Sequence, residues 1–101
     1  MIIRKRTALP QESEFVKVVV DISHNLLAYG CELHMDCAEE LLADGSTSDN
    51  LWGANIYPKD KTIEYTSMIN IRPKDNNRSM EIQLPEIREK VKSVIESLLT
   101  L

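Results

Sequence analysis

The chain is short of the features that would tie it to a membrane, a nucleic acid or a phosphate-cradling loop. No apolar run approaches the roughly 20 residues that a membrane span needs. Positive charge is in deficit: Lys and Arg total 12 against 16 Asp and Glu, a formal net charge of -4. That balance excludes a general nucleic-acid binder, which must neutralise phosphates with surplus cations. The one basic cluster, Arg4-Lys5-Arg6, is too short to change this and reads as a solvated edge. Three glycines stand at positions 30, 45 and 53, and none opens a helix after a strand, so no phosphate-cradling loop is present. Internal repeats and low-complexity tracts are absent as well.

Cysteine is equally scarce, with two in the chain, Cys31 and Cys37. Met1-Ile2-Ile3 precedes the three cations, the reverse of the order in a signal peptide. A cytoplasmic location is therefore expected, with two free thiols in a reducing compartment. The pair lacks the close spacing of a structural zinc site, and no metal ligand is assigned.

What the chain does have is the composition of a small folded domain. Of its 101 residues 43% are hydrophobic and 28% charged, ordinary values for a globular chain. The length fits a single domain.

Residues 1–6 suggest a short first strand and residues 10–14 a polar connection, with one helical turn begun by Pro10. Residues 16–22 alternate, with Val16, Val18, Val20 and Ile22 on one face and Lys17, Val19 and Asp21 on the other, a β-branched strand. Ser23-His24-Asn25 predicts a turn, and residues 26–33 a returning strand. A short helix should follow, with Asp36 as its cap, Glu39 at the third helical position and Gly45 as its stop. Residues 51–57 and 62–72 predict two further strands, and residues 73–84 an irregular polar segment. The last element is an amphipathic helix with Pro85 in its first turn and a stripe of Ile87, Val91, Val94, Ile95 and Leu98. The predicted class is α+β: an antiparallel or mixed sheet of about four to five strands, a short middle helix, and a C-terminal amphipathic helix packed on one face, with both helices expected on the same side.

Period-two alternation supplies the candidate site. On the predicted fourth strand Ile63, Tyr65, Ile69 and Ile71 oppose Glu64, Thr66, Asn70 and Arg72, with Met68 among the polar set. Glu32 and His34 share a face of the second strand, and Asn55 and Tyr57 a face of the third. Where these polar faces coincide, Glu32, His34, Asn55, Asn70 and Arg72 converge. Arg72 and Arg78 flank a polar segment holding Asn76, Asn77 and Ser79, and arginine forks suit carboxylates and phosphates. Glu32, His34 and Asp36 also resemble a ligand set for a first-row metal, although Asp36 is already explained as a cap. Alternation puts Cys31 and His34 on opposite faces, against a Cys/His nucleophile. Trp52 reads as core, with a stacking wall for a ligand as the alternative.

Several separated segments carry a family likeness. They are Cys31-Glu32-Leu33-His34-Met35-Asp36, Leu51-Trp52-Gly53-Ala54-Asn55-Ile56-Tyr57-Pro58, Ser67-Met68-Ile69-Asn70-Ile71-Arg72-Pro73, Asn77-Arg78-Ser79 and Pro85-Glu86-Ile87-Arg88. In this order the chain resembles, over residues 16–99, a family of small bacterial proteins classed as a domain of unknown function. The resemblance implies a bacterial or related origin and a compact domain that stands alone, and it brings no activity, cofactor or catalytic residue. The chain departs from that family's pattern in a shortened region before Val16, in Cys31 where glycine is expected, and in Leu84 where an acidic cap is expected before Pro85.

Three functional readings follow. The first is a non-catalytic binding module, with Glu32, His34, Asn55, Asn70, Arg72, Asn77 and Arg78 recognising a small anionic ligand or a protein partner. The second is a hydrolase using His34 as general base, Glu32 to orient it, and Arg72 or Arg78 to stabilise negative charge. The third is a scaffold that self-associates through the sheet edge or the final helix. No cofactor is assigned.

Overall fold

The computed structural model describes residues 1–11 and 14–100. Glu12 and Ser13, the middle of the connection predicted after Pro10, lie outside the described residues. Seven strands and two α-helices follow in order: β1 (Ile2–Ile3), β2 (Thr7–Ala8), β3 (Val16–Asp21), β4 (Leu26–Tyr29), α1 (His34–Ala43), β5 (Leu51–Tyr57), β6 (Thr62–Glu64), α2 (Pro85–Leu98) and β7 (Leu99–Thr100). Single 3₁₀ turns at Ser48–Asn50, Met68–Asn70 and Pro73–Asp75 fill the connections. Five strands make one antiparallel sheet in the order β1-β4-β3-β5-β6. β2 and β7 pair in parallel, so the segment after β1 meets the residues following α2. The α+β class is as predicted, and of the antiparallel and mixed sheets expected the five-stranded one is antiparallel.

The two helices, however, lie on opposite faces. Val18, Val20, Leu27, Trp52, Ala54 and Ile56 pack with Val91, Val94, Ile95 and Leu98 of α2. Val19, Ala28 and Leu51 instead pack with Cys37, Ala38 and Leu41 of α1. The reason is visible in β3: Val19 and Asp21, on the face opposite Val18 and Val20, are fully buried, and a buried second face needs its own cover.

Three local boundaries also differ from expectation. β4 ends at Tyr29 because Gly30 turns the chain with φ 82°, a left-handed conformation that glycine adopts freely. α1 begins at His34, earlier than predicted, and Asp36 acts from its third position by accepting from Leu33 N at 3.3 Å. The predicted fourth strand stops at Glu64, since Ser67 accepts from Ile69 N and starts a 3₁₀ turn. Cys31 and Cys37 form a disulfide, not two free thiols. The turn at Gly30 carries Cys31 off the strand path and beside the first turns of α1, 5.7 Å from Cys37 between Cα atoms.

At the β3–β4 turn, Asn25 takes the left-handed φ of 53°. Buried Asp21 holds the turn: its Oδ1 accepts from Ser23 N (2.9 Å) and His24 N (3.0 Å), and its Oδ2 accepts from Ser46 Oγ (2.6 Å) and faces His24 Nδ1 (2.9 Å). Burial opposes ionisation of this carboxyl, but the bonds from Ser46 and His24 outweigh it and hold its pKa below the ordinary 3.8. A carboxyl with a depressed folded-state pKa contributes stability that is present above the unfolded value and lost as pH falls through the folded one. Asp21→Asn should therefore flatten the acid limb of the stability profile below about pH 4. Urea midpoints measured across that limb check this, and parallel profiles for the variant and the parent would refute it.

Candidate functional site

The seven predicted site residues do not assemble as one surface. Asn70 and Asn77 are fully buried and bonded to main chain. Asn70 Oδ1 accepts from Gly53 N at 2.8 Å, while its Nδ2 donates to Gly53 O and Met80 O, each at 3.0 Å. β6 pairs with β5 only at Asn55, Ile56 and Tyr57, so the Asn70 amide occupies the place of a strand residue beside Gly53. Asn77 Nδ2 donates to the carbonyls of Asn70, Ser79 and Glu81, and its Oδ1 accepts from Gln83 N at 2.7 Å. These two side chains fold the polar segment, with their amides engaged by main chain.

Arg72 is likewise held at both terminal nitrogens. Its guanidinium donates to Ser48 O and Leu51 O, both at 2.7 Å, and lies 3.7 Å over the Trp52 ring. Trp52 belongs to the α2 side of the sheet, as its core reading required. Arg78 is exposed beside the Asn77 turn. Glu32 is exposed in the loop before α1, where its carbonyl accepts from Lys17 Nζ at 2.8 Å.

His34 and Asn55 do meet. Both line a groove of about 540 Å³ on the α1 side of the sheet. Lys17 and Asn55, register partners across β3 and β5, form its floor. The start of α1 makes one wall with Leu33, His34 and Met35, and residues 66–69 with Met80 make the other. The second wall can approach because Gly53 has no side chain: a Cβ there would fall 2.6 Å from Ser67 Cβ and 2.7 Å from Ser67 Oγ. The rim is strongly apolar yet open, with Met68 74%, Leu33 58%, Met35 51% and Met80 43% exposed.

The polar floor has definite chemistry. His34 lies 2.9 Å from Ala54 O through Nε2, so the neutral ring donates there. Burial is the main force lowering its pKa below 6.5, with nearby Lys17 acting in the same direction and the Ala54 carbonyl and Asn55 opposing. Asn55 Nδ2 donates to Glu64 Oε1 at 2.9 Å, and among the described residues its buried Oδ1 has no donor. No carboxylate of the described residues makes an ion pair with His34, whose neighbouring cation is Lys17. Glu32, His34 and Asp36 do not gather as a metal site among the described residues; the cluster with suitable geometry is Cys31, Cys37 and Glu40. Asp21, His24 and Ser46 contain the residue types of a catalytic triad, but hydroxyl and imidazole both turn to the carboxylate, so no base activates the hydroxyl.

Sequence reasoning missed Lys17, Leu33, Met35, Ser67 and Met80 as groove residues. The available signal was methionine: Met35, Met68 and Met80 each stand next to polar or charged residues, which is unusual company for a core side chain.

Fold and groove together define an α+β domain with a five-stranded antiparallel sheet between two helices and one methionine-rimmed cleft. Within that class the chain belongs to the family described as Protein of unknown function (DUF5674), whose model matches residues 4–98 and so extends ahead of Val16. No curated protein and no solved structure matches it. No helix among the described residues is long and apolar enough to cross a membrane.

Proposed function

We propose that the protein is a non-catalytic binding module that seats an apolar, acid-bearing segment of a protein partner in the groove beside α1. The observation that carries this reading is the rim: three of the four methionines stand exposed around one polar floor. Flexible thioethers adapt to irregular apolar partners, and a contiguous exposed apolar patch marks an interaction surface. Lys17 supplies positive charge for an acidic side chain, and Asn55 Oδ1 offers an acceptor to a main-chain N–H. A small free anion is less well served. The Arg72 fork is spent on carbonyls, and Arg78 does not line the groove.

The hydrolase reading finds less support in the same geometry, since neither Glu32 nor an arginine lines the groove with His34. General nucleic-acid binding is outside the proposal because the chain carries a net charge of -4. The setting we propose is the bacterial cytoplasm, supported by the family likeness.

Panning a displayed peptide library on the purified protein should enrich segments that combine apolar residues with Asp or Glu. The double substitution Met68→Glu, Met80→Glu should weaken those peptides by at least about tenfold, close to 1.4 kcal/mol, with far-UV circular dichroism unchanged. Peptides that bind the variant as well as the parent would sink the reading. A concentration-dependent sedimentation coefficient abolished by the same substitutions would reassign the groove to self-association.

A further inference from the structure

The cluster formed by Cys31, Cys37 and Glu40 lies outside the groove and is unexplained by it. We infer that in the reduced protein these three side chains bind one thiophilic divalent cation, zinc being the natural choice, and that the disulfide is the metal-free alternative of the same site.

Three observations support this. The two sulfurs and a Glu40 carboxylate oxygen lie within 4.8 Å of one another, the one such grouping of three ligating side chains among the described residues. Cys37 and Glu40 are three apart on α1, so they project from one helix face. Cys31 follows Gly30, which turns the chain at φ 82° with nothing within 4 Å of the position a Cβ would take. That loop has room to let the sulfurs separate to roughly 3.8 Å, the edge of a tetrahedron with ~2.3 Å zinc–sulfur bonds.

The charge argument runs the same way. Glu40 Oε2 lies 3.3 Å from Cys31 Sγ, and a disulfide sulfur has no proton to give it. Its other oxygen pairs with the Met1 amino group at 2.9 Å. Once the thiols are free and ionise, three anionic ligand atoms face one another, an arrangement that a cation relieves. Two thiolates and one carboxylate suit zinc, leaving a fourth position for water. The half-exposed Cys31 borders an open hollow of about 350 Å³ with Pro10, Phe15 and Tyr29, which gives a reductant and a metal ion a way in.

The chemistry balances. Two equivalents of a small thiol reduce the disulfide, each contributing one electron and one proton, and leave as their own disulfide. Binding then exchanges two thiol protons, released to solvent, for one divalent cation.

The test is a titration of the protein after reduction with a phosphine and removal of the reductant without oxygen. One equivalent of Co²⁺ should bind with sulfur-to-metal charge-transfer absorption, which Zn²⁺ then displaces, and the disulfide form should show neither. Cys31→Ser should abolish the dithiolate band. Glu40→Gln should keep the band but weaken zinc binding by at least about tenfold, because it removes the one carboxylate among the three protein ligands. A reduced protein without charge-transfer absorption overturns the inference, as does Glu40→Gln with unchanged zinc affinity. If reduction alone removes the helical circular dichroism, recovery on adding zinc supports the site, and failure to recover overturns it.

Discussion

Asn70→Ala should be among the most damaging single substitutions in the domain, costing about 3–5 kcal/mol, because it strips the partner from two buried main-chain groups, each worth about 1–3 kcal/mol when left unsatisfied. Those groups are Gly53 N–H and Gly53 O; Met80 O loses one of its two donors and keeps Ser67 N–H, and Asn70 is itself wholly buried. A domain this small has a net stability of roughly 5–15 kcal/mol, so much of the margin goes with one side chain. Asn70→Asp separates the hydrogen-bond account from a packing account. It keeps the volume and the acceptor for Gly53 N, yet presents an oxygen to Gly53 O and Met80 O where a donor is needed. At neutral pH it should be nearly as unstable as the alanine variant, and acid that protonates the new carboxyl should restore part of the difference. Urea denaturation followed by circular dichroism measures both. A midpoint for Asn70→Asp equal to the parent's at neutral pH would falsify this role.

The second large effect is at Gly53. Gly53→Ala places a methyl 2.6 Å from Ser67 Cβ and 3.2 Å from Ile69 Cγ1, inside van der Waals contact. Overpacking of this kind costs about 1–3 kcal/mol. The strain falls on backbone-anchored neighbours: Ser67 is buried, and its N–H is bonded to Met80 O at 3.0 Å. Pushing Ser67 outward moves the wall that carries Met68, so peptide binding in the groove should fall along with stability. Ser67→Gly removes the obstructing atoms and should be harmful alone, because the bond from Ile69 N to Ser67 Oγ is lost. Combined with Gly53→Ala it should be less harmful than the sum of the two, with a coupling of about 1 kcal/mol or more. Additive single costs would show that the methyl finds room elsewhere.

These two sites mark where the sequence stopped being legible. The α2 stripe was readable because Ile87, Val91, Val94, Ile95 and Leu98 repeat at helical spacing against a polar face, and all of them pack as expected. β5 was readable because residues 51–57 combine β-rich composition with a turn on either side. Alternation says which way a side chain points while a strand lasts; it does not say where the strand ends. Glu32 and His34 were placed on a strand that Gly30 had already terminated, and Asn70 and Arg72 on one that Ser67 diverts. Nor does polarity tell an asparagine that meets a ligand from one that meets its own backbone. Asn70 and Asn77 are of the second kind; of the three candidate asparagines, Asn55 keeps a buried oxygen without a donor among the described residues. Of the candidate site, His34 and Asn55 were legible. The methionine rim was not, because its members come from three separate stretches of chain that only the folded sheet and its turns bring together.

Arg72 and Asn70 also govern how the molecule meets its own kind. By occupying Leu51 O and the Gly53 amide, they leave no ladder along the first half of β5 for an extended stranger to join. The outer strands of the sheet, β1 and β6, run to two and three residues. Margins that short give little purchase to strand-by-strand polymerisation, so the fold carries its own guard against amyloid-like growth.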